Sequence, residues 1–299
     1  MDKLPQVHRR ELLRLLALTG GGLAAVKSAS ATAAPRGIDP ALRRQYCSTD
    51  FGQVHYWTLG QGPALVLIHQ SAQSSAEYAA MAPLLSDRYR VICIDLPGHG
   101  QSDTPDRELT CDEYADAVIA VMNDQRIAVA HTVGHHGGGV VAFNLCLRYP
   151  QRIDRVIASG VARGEDFDLD EALNMPMSRD LPMDSDGEFL EKTWAIYRDM
   201  SAPDTPPEVT FQPFLVSLQN RLRKYDMHYA IYRWDWPRYI DEFDKAVLLL
   251  EGVHDGFAGE VEALHARMPT SSYAKVPGGA WLFYEKPAEC ATVIGEFLG

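Results

Sequence analysis

The sequence predicts an α/β fold: a mostly parallel, doubly wound sheet with helices on both faces and a helical cap inserted into it. Three observations predict it. Short apolar runs such as Ala64-Leu65-Val66-Leu67-Ile68 and Val91-Ile92-Cys93-Ile94 recur along the chain, as strands buried on both faces do. Segments of helical periodicity separate these runs. Between about Val161 and Asp244 the alternation stops, and an acidic and then aromatic stretch takes over.

Taken in order, residues 1–34 read as an export address. His8-Arg9-Arg10-Glu11-Leu12-Leu13-Arg14 has the layout of a bacterial twin-arginine signal. Weakly apolar Leu15 to Val26 follows, then small residues Ala31-Thr32-Ala33 at a cleavage position. The apolar stretch is interrupted by Gly20-Gly21-Gly22, and a spanning helix needs about 20 apolar residues. The expectation is handling by the twin-arginine (Tat) export machinery and a periplasmic or secreted protein, membrane-anchored if the signal stays uncleaved. Gly52 to Leu59 alternates with period two, as an early antiparallel strand would, and Gly60-Gln61-Gly62 turns it. Ala64 to Ile68 is a strand, Ser74 to Leu85 a helix and Tyr89 to Ile94 a strand. Cys111 to Met122 is a helix, Ile127 to Val133 a strand, Gly137 to Tyr149 a helix and Val156 to Ser159 a strand. Past the insertion come a strand at Ala246 to Leu250, a helix at Ala258 to Met268, a strand at Ser272 to Val276 and a helix at Pro287 to Leu298. The core is therefore 35–160 and 245–299, with the cap at 161–244. Ligands on such sheets bind beyond the carboxyl ends of the strands.

Composition narrows the function. The 299 residues are 46% hydrophobic and carry a net charge of −12. Five basic and two acidic side chains fall in the first 33 residues, a net +3, so the remainder carries −15. That balance argues against nucleic-acid or anionic-membrane partners, which need basic patches. The five cysteines form no CxxC or CxxH pair, so a structural zinc site is not expected, and the preferred reading calls for no cofactor and no metal. Cys93 and Cys146 read as buried, inert thiols. The cap aromatics, among them Trp194, Tyr197, Phe214, Tyr225, Trp234 and Trp236, suit a cap core with some rings facing an apolar cleft. The partner expected is a small apolar or aromatic substrate. Oligomeric state is not legible.

Four segments then resemble the α/β-hydrolase superfamily, in the branch of simple esterases, epoxide hydrolases and cofactor-free haloperoxidases. They are Leu67-Ile68-His69-Gln70-Ser71, Asp95-Leu96-Pro97-Gly98-His99-Gly100-Gln101-Ser102, Val133-Gly134-His135-His136-Gly137-Gly138, and Gly252-Val253-His254-Asp255. The third matches the sharp strand-to-helix turn called the nucleophile elbow, where Gly134, Gly137 and Gly138 leave room for a crowded backbone. The fourth matches the loop carrying the triad acid. The resemblance implies oxyanion donors from Gly137 and from Gln70 or Ser71.

The chain departs from that pattern twice. His136 stands where the family has Ser, Asp or Cys, and Ala280 stands where the family's histidine would be. No histidine follows His265 at all. A Ser-His-Asp mechanism as normally built is closed to this chain. The two changes compensate if His136 projects into the space left at Ala280 and approaches Asp255. The dyad would then activate water or an acidic substrate proton, with a neutral imidazole favoured by the helix N-terminus. His69, His135 and His254 are candidate supporting residues around it. The reading expected is hydrolysis of a small apolar or aromatic ester or lactone. Four others stay open: His136 as covalent nucleophile, a metal cluster drawn from these histidines and Asp255, an inactive ligand-binding pseudo-hydrolase, and a cofactor-free lyase, isomerase or oxygenase. His99 and His131 read as structural, and His55, His228 and His265 have no functional case.

Overall fold

The computed structural model describes residues 41–161, 163, 167–174, 181–223 and 227–299. The export signal and Tyr225 lie outside the described residues. Eight strands form one sheet: β1 (Arg43–Thr49), β2 (Gly52–Leu59), β3 (Ala64–Ile68), β4 (Arg90–Ile94), β5 (Ala130–His135), β6 (Ile153–Ser159), β7 (Ala246–Gly252) and β8 (Ser272–Val276). Their order is β1-β2-β4-β3-β5-β6-β7-β8. The β1/β2 and β2/β4 pairs are antiparallel, and every pair from β4 to β8 is parallel.

The helices are α1 (Ala82–Leu85), α2 (Cys111–Asp124), α3 (Gly137–Arg148), α4 (Leu169–Asn174), α5 (Glu188–Asp199), α6 (Pro207–Asn220), α7 (His228–Arg233), α8 (Glu260–Arg267), α9 (Leu282–Glu285) and α10 (Pro287–Leu298). Alternate residues of β3 serve opposite faces of the sheet. Val66 and Ile68 join the core under α2 and α3, while Leu65 and Leu67 join the core under α1, α9 and α10. That two-sided burial is the reason β3 has no polar residue. The start of α2 is written locally: Thr110 and Glu113 form a reciprocal capping box.

Some boundaries differ from the sequence reading. The helix expected over Ser74 to Leu85 is a 3-10 turn at Ser75–Tyr78 followed by α1. The Ser75 amide donates to the Asp95 carboxylate instead of entering a helix, and Pro83 has no amide to continue one. β5 starts at Ala130 rather than Ile127, because the Ile127 amide still closes the end of α2 on Met122. β1 was not legible: it is an edge strand with Cys47 as its single buried residue.

Within residues 161–244 the described segments are helical and contain no strand. Tyr197 of α5 and Phe214 of α6 pack with Trp281 and Tyr284 of the core, and Tyr197 stacks on Trp281 at 4.4 Å. Trp236 packs instead on Phe143 of α3. Among the described residues no helix is long and apolar enough to cross a membrane. All five thiols are free and buried.

Candidate active site

β5 ends at His135, and the chain turns straight into α3 at Gly137. The turn is made by His136, whose φ of 45° and ψ of −113° are rare for a residue with a side chain. Its amide donates to the Ser159 carbonyl and its carbonyl accepts from Gly139, so the turn is tied on both sides. A Cβ at Gly138 would stand 2.2 Å from the Ile68 carbonyl oxygen, which is why glycine follows so closely.

The His136 Nε2 lies 2.6 Å from Asp255 Oδ2. Asp255 sits after β7, where its other oxygen accepts from the Phe257 amide at 3.1 Å. An ionised carboxylate only accepts, so Nε2 carries the proton. Nδ1 is the nitrogen left free, with no partner among the described residues. The ring keeps 15% of its surface exposed. Burial opposes the imidazolium. The Asp255 charge and hydrogen bond, helped by the Glu77 charge, outweigh it, so the ring titrates above 6.5. The carboxylates thus pull against the preference for a neutral imidazole expected from the helix N-terminus. Burial also opposes the Asp255 anion, yet the His136 charge and hydrogen bond bring its pKa down to about 2.

The neighbours of the His136 ring are Asp255, Gly160, Phe257 and His135. Gln70 is the residue that reaches Ala280, donating from Nε2 to its carbonyl at 3.0 Å. Gly160, at the end of β6, has φ +61°. A Cβ there would lie 2.2 Å from His136 Cδ2 and 2.5 Å from Nε2. The ring lies where only glycine leaves room for it.

A second pair lies beside the first. Glu77 is fully buried, and its carboxylate faces His135 Nδ1, the Gln70 amide at 3.1 Å and Gln70 Nε2 at 3.3 Å. The rings of His135 and His136 are 4.3 Å apart. Burial lowers the His135 pKa and outweighs the pull of Glu77. Burial opposes ionisation of Glu77 too, but His135 and the Gln70 amide hold its pKa below the usual carboxylate range. His135 thus donates through Nδ1, which leaves Nε2 as a sealed nitrogen without a partner.

Gln70 is accordingly corrected as an oxyanion donor, because its amide is committed to Glu77. Ser71 remains: its Oγ is buried without a partner and lies 2.6 Å from the position of a Cβ on Gly137. The Gly137 amide opens α3, where first-turn amides have no intrahelical acceptor. Met227 and Ile231 of the cap press on the same glycine.

Two other expectations change. His69 is structural: its Nδ1 donates to the Gln70 carbonyl and its Nε2 accepts from the Leu96 amide. His254 is exposed, and its amide runs to Gly278. Neither reaches the dyad. His135, His136 and Asp255 each offer an atom that could ligate a metal, all within 4.8 Å of one another. His136 and Asp255 already satisfy each other there. His99 is fully buried with Nδ1 on the Pro97 carbonyl, and His55 is paired with Asp95 at 2.8 Å. His131 is only half-buried, 3.3 Å from Asp154.

Sequence reasoning missed Glu77, Gly160 and Phe257. Glu77 looked like an ordinary polar residue on a helix. A glycine ending the buried run of β6 was the one available signal, since such positions mark close approach.

Residues 63–252 match the alpha/beta hydrolase fold family. A solved esterase from Thermogutta terrifontis is 20% identical, with a TM-score of 0.73 over 86% of this chain and 98% of that one. The enol-lactonase from Burkholderia xenovorans is also 20% identical, with a TM-score of 0.72 over 85% and 99%. An uncharacterized protein of Mycobacterium tuberculosis is 36% identical over 110 residues, 35% of this chain and 31% of that protein. The chain thus aligns with less than a third of that relative's length.

Proposed function

This chain belongs to the alpha/beta hydrolase fold family, and from that premise we propose that it hydrolyses a small apolar or aromatic ester or lactone by general-base catalysis, without a serine nucleophile. The observation that carries the reading is the 2.6 Å contact between His136 Nε2 and Asp255. Asp255 orients the ring and balances the charge it gains. Nδ1 takes a proton from water, the water oxygen adds to the substrate carbonyl, and the Gly137 amide with the Ser71 hydroxyl faces the resulting oxyanion. Collapse of that intermediate breaks the acyl–oxygen bond, and the proton on Nδ1 passes to the leaving alkoxide. A base of this kind contributes about 10²–10⁴-fold. The esterase and the enol-lactonase of similar fold support this substrate class. Met227 and Ile231 make the surroundings of Gly137 apolar. The Arg9-Arg10 signal supports export by the twin-arginine route to the periplasm or beyond.

One observation favours a second reading, a ligand-binding module without turnover: the Gln70 amide is withdrawn from the oxyanion position by Glu77. A nitrophenyl ester assay on the wild type and His136→Ala separates the two. Turnover abolished in the variant supports the hydrolase, and full activity in that variant refutes it. Tight binding of an aromatic ester with no turnover selects the module. Turnover of a carbon acid but of no ester selects a lyase.

A further inference from the structure

The position of Glu77 has consequences for His136. Its carboxylate is sealed from solvent and has three donors: the Gln70 amide, Gln70 Nε2 and His135 Nδ1. Gln70 in turn holds the Ala280 carbonyl, and the His135 ring lies 4.3 Å from His136. One carboxylate therefore ties together the loop after β3, the segment at Ala280 and the end of β5. We propose that Glu77 is a positioning residue of this site, which fixes the Gln70 loop and the His135 ring and places a second buried negative charge behind His136.

The charge count supports this. The cluster holds two carboxylates, Glu77 and Asp255, and burial disfavours a positive charge on His135. When Nδ1 of His136 accepts a proton, the imidazolium forms between these two anions, one in direct contact and one behind His135. Glu77 adds to the upward pull on His136. The groups facing His136 are Asp255, His135 and the Phe257 ring. Those around Glu77 are His69, His135 and Gln70, with Tyr78 and Tyr284 nearby. Glu77 would therefore make His136 a stronger base. It also accounts for the glutamine beside the oxyanion loop, because the Gln70 side chain supplies the reach from Glu77 to Ala280.

The test is a nuclear magnetic resonance titration of the His136 imidazole in the full folded chain. It needs no turnover, so it stands if the hydrolase reading fails, and loss of ester hydrolysis alone would leave it intact. In Glu77→Gln the His136 midpoint should fall by about one pH unit, as removal of a nearby opposite charge does. If ester turnover holds, the acid limb of kcat/KM should move down with it. His135→Gln keeps a donor for Glu77 and should leave the midpoint above 6.5. If Glu77→Gln does not fold, Glu77→Asp retains the charge but withdraws it by one methylene, and a smaller fall in the same direction is expected. An unmoved midpoint in the Glu77 variant, with only a lower melting temperature, would show a merely structural carboxylate and overturn the proposal. So would a midpoint returned to the ordinary value in His135→Gln.

Discussion

Gly160→Ala tests the dyad without touching either of its members. The added Cβ would stand 2.2 Å from His136 Cδ2 and 3.1 Å from Asp255 Oδ2, and ordinary contact begins at 3.4 Å. The ring must therefore retreat by about 1.2 Å, which stretches a 2.6 Å hydrogen bond towards about 3.8 Å, beyond hydrogen-bonding range. The positive φ adds about 1–2 kcal/mol of backbone strain for alanine. Displacement of a catalytic group by about 1 Å costs about 10²-fold, so kcat/KM for a nitrophenyl ester should fall by at least that factor. The melting temperature should drop by a few degrees. Gly256→Ala is the matched control: it adjoins Asp255, yet a Cβ there meets nothing within 4 Å. The steady-state assay is run on both variants, with circular dichroism to confirm folding. A folded Gly160→Ala protein with wild-type kcat/KM would refute the reasoning, because the ring could not then depend on its seat against β6.

Three further outcomes are expected. His136 works as a neutral base and titrates above 6.5, so kcat/KM should rise with pH through a midpoint above 6.5; a profile flat from pH 5 to 9 contradicts the assignment. Asp95 is held at about 2, where the His55 and Gln101 hydrogen bonds outweigh burial, against 3.8 when exposed. Its depressed pKa contributes about 2 kcal/mol that is present above pH 3.8 and lost as the pH falls towards 2; Asp95→Asn should flatten that part of the acid-unfolding curve. Thr110→Ala removes the capping hydroxyl of α2 and should cost about 1 kcal/mol in urea unfolding, with activity unchanged.

The sequence by itself determined the layered sheet, since apolar runs such as β3 and β7 have no stable place except between two layers of helices. It also placed His136 on the turn between β5 and α3, because only small residues fit beside such a turn, and it named Asp255 as that histidine's partner. The turn is a local matter of spacing and chain geometry, and the partner, 119 residues away, is what the family resemblance implies. The tertiary structure decided what surrounds them. Glu77 and His135 are 58 residues apart, and nothing in the local pattern of Ser74-Ser75-Ala76-Glu77 marks a fully buried carboxylate. Gln70 Nε2 meets the Ala280 carbonyl across 210 residues, and Glu77 holds the Gln70 backbone amide away from the role its motif implied. His69 and His254 occupy motif positions but turn away, one to backbone groups and the other to solvent. The physical reason is common to all of these. Spacing along the chain fixes which side chain leaves a turn, while the direction of a ring and the partner of a buried charge depend on which distant backbone and side-chain groups the packed sheet brings within hydrogen-bonding distance.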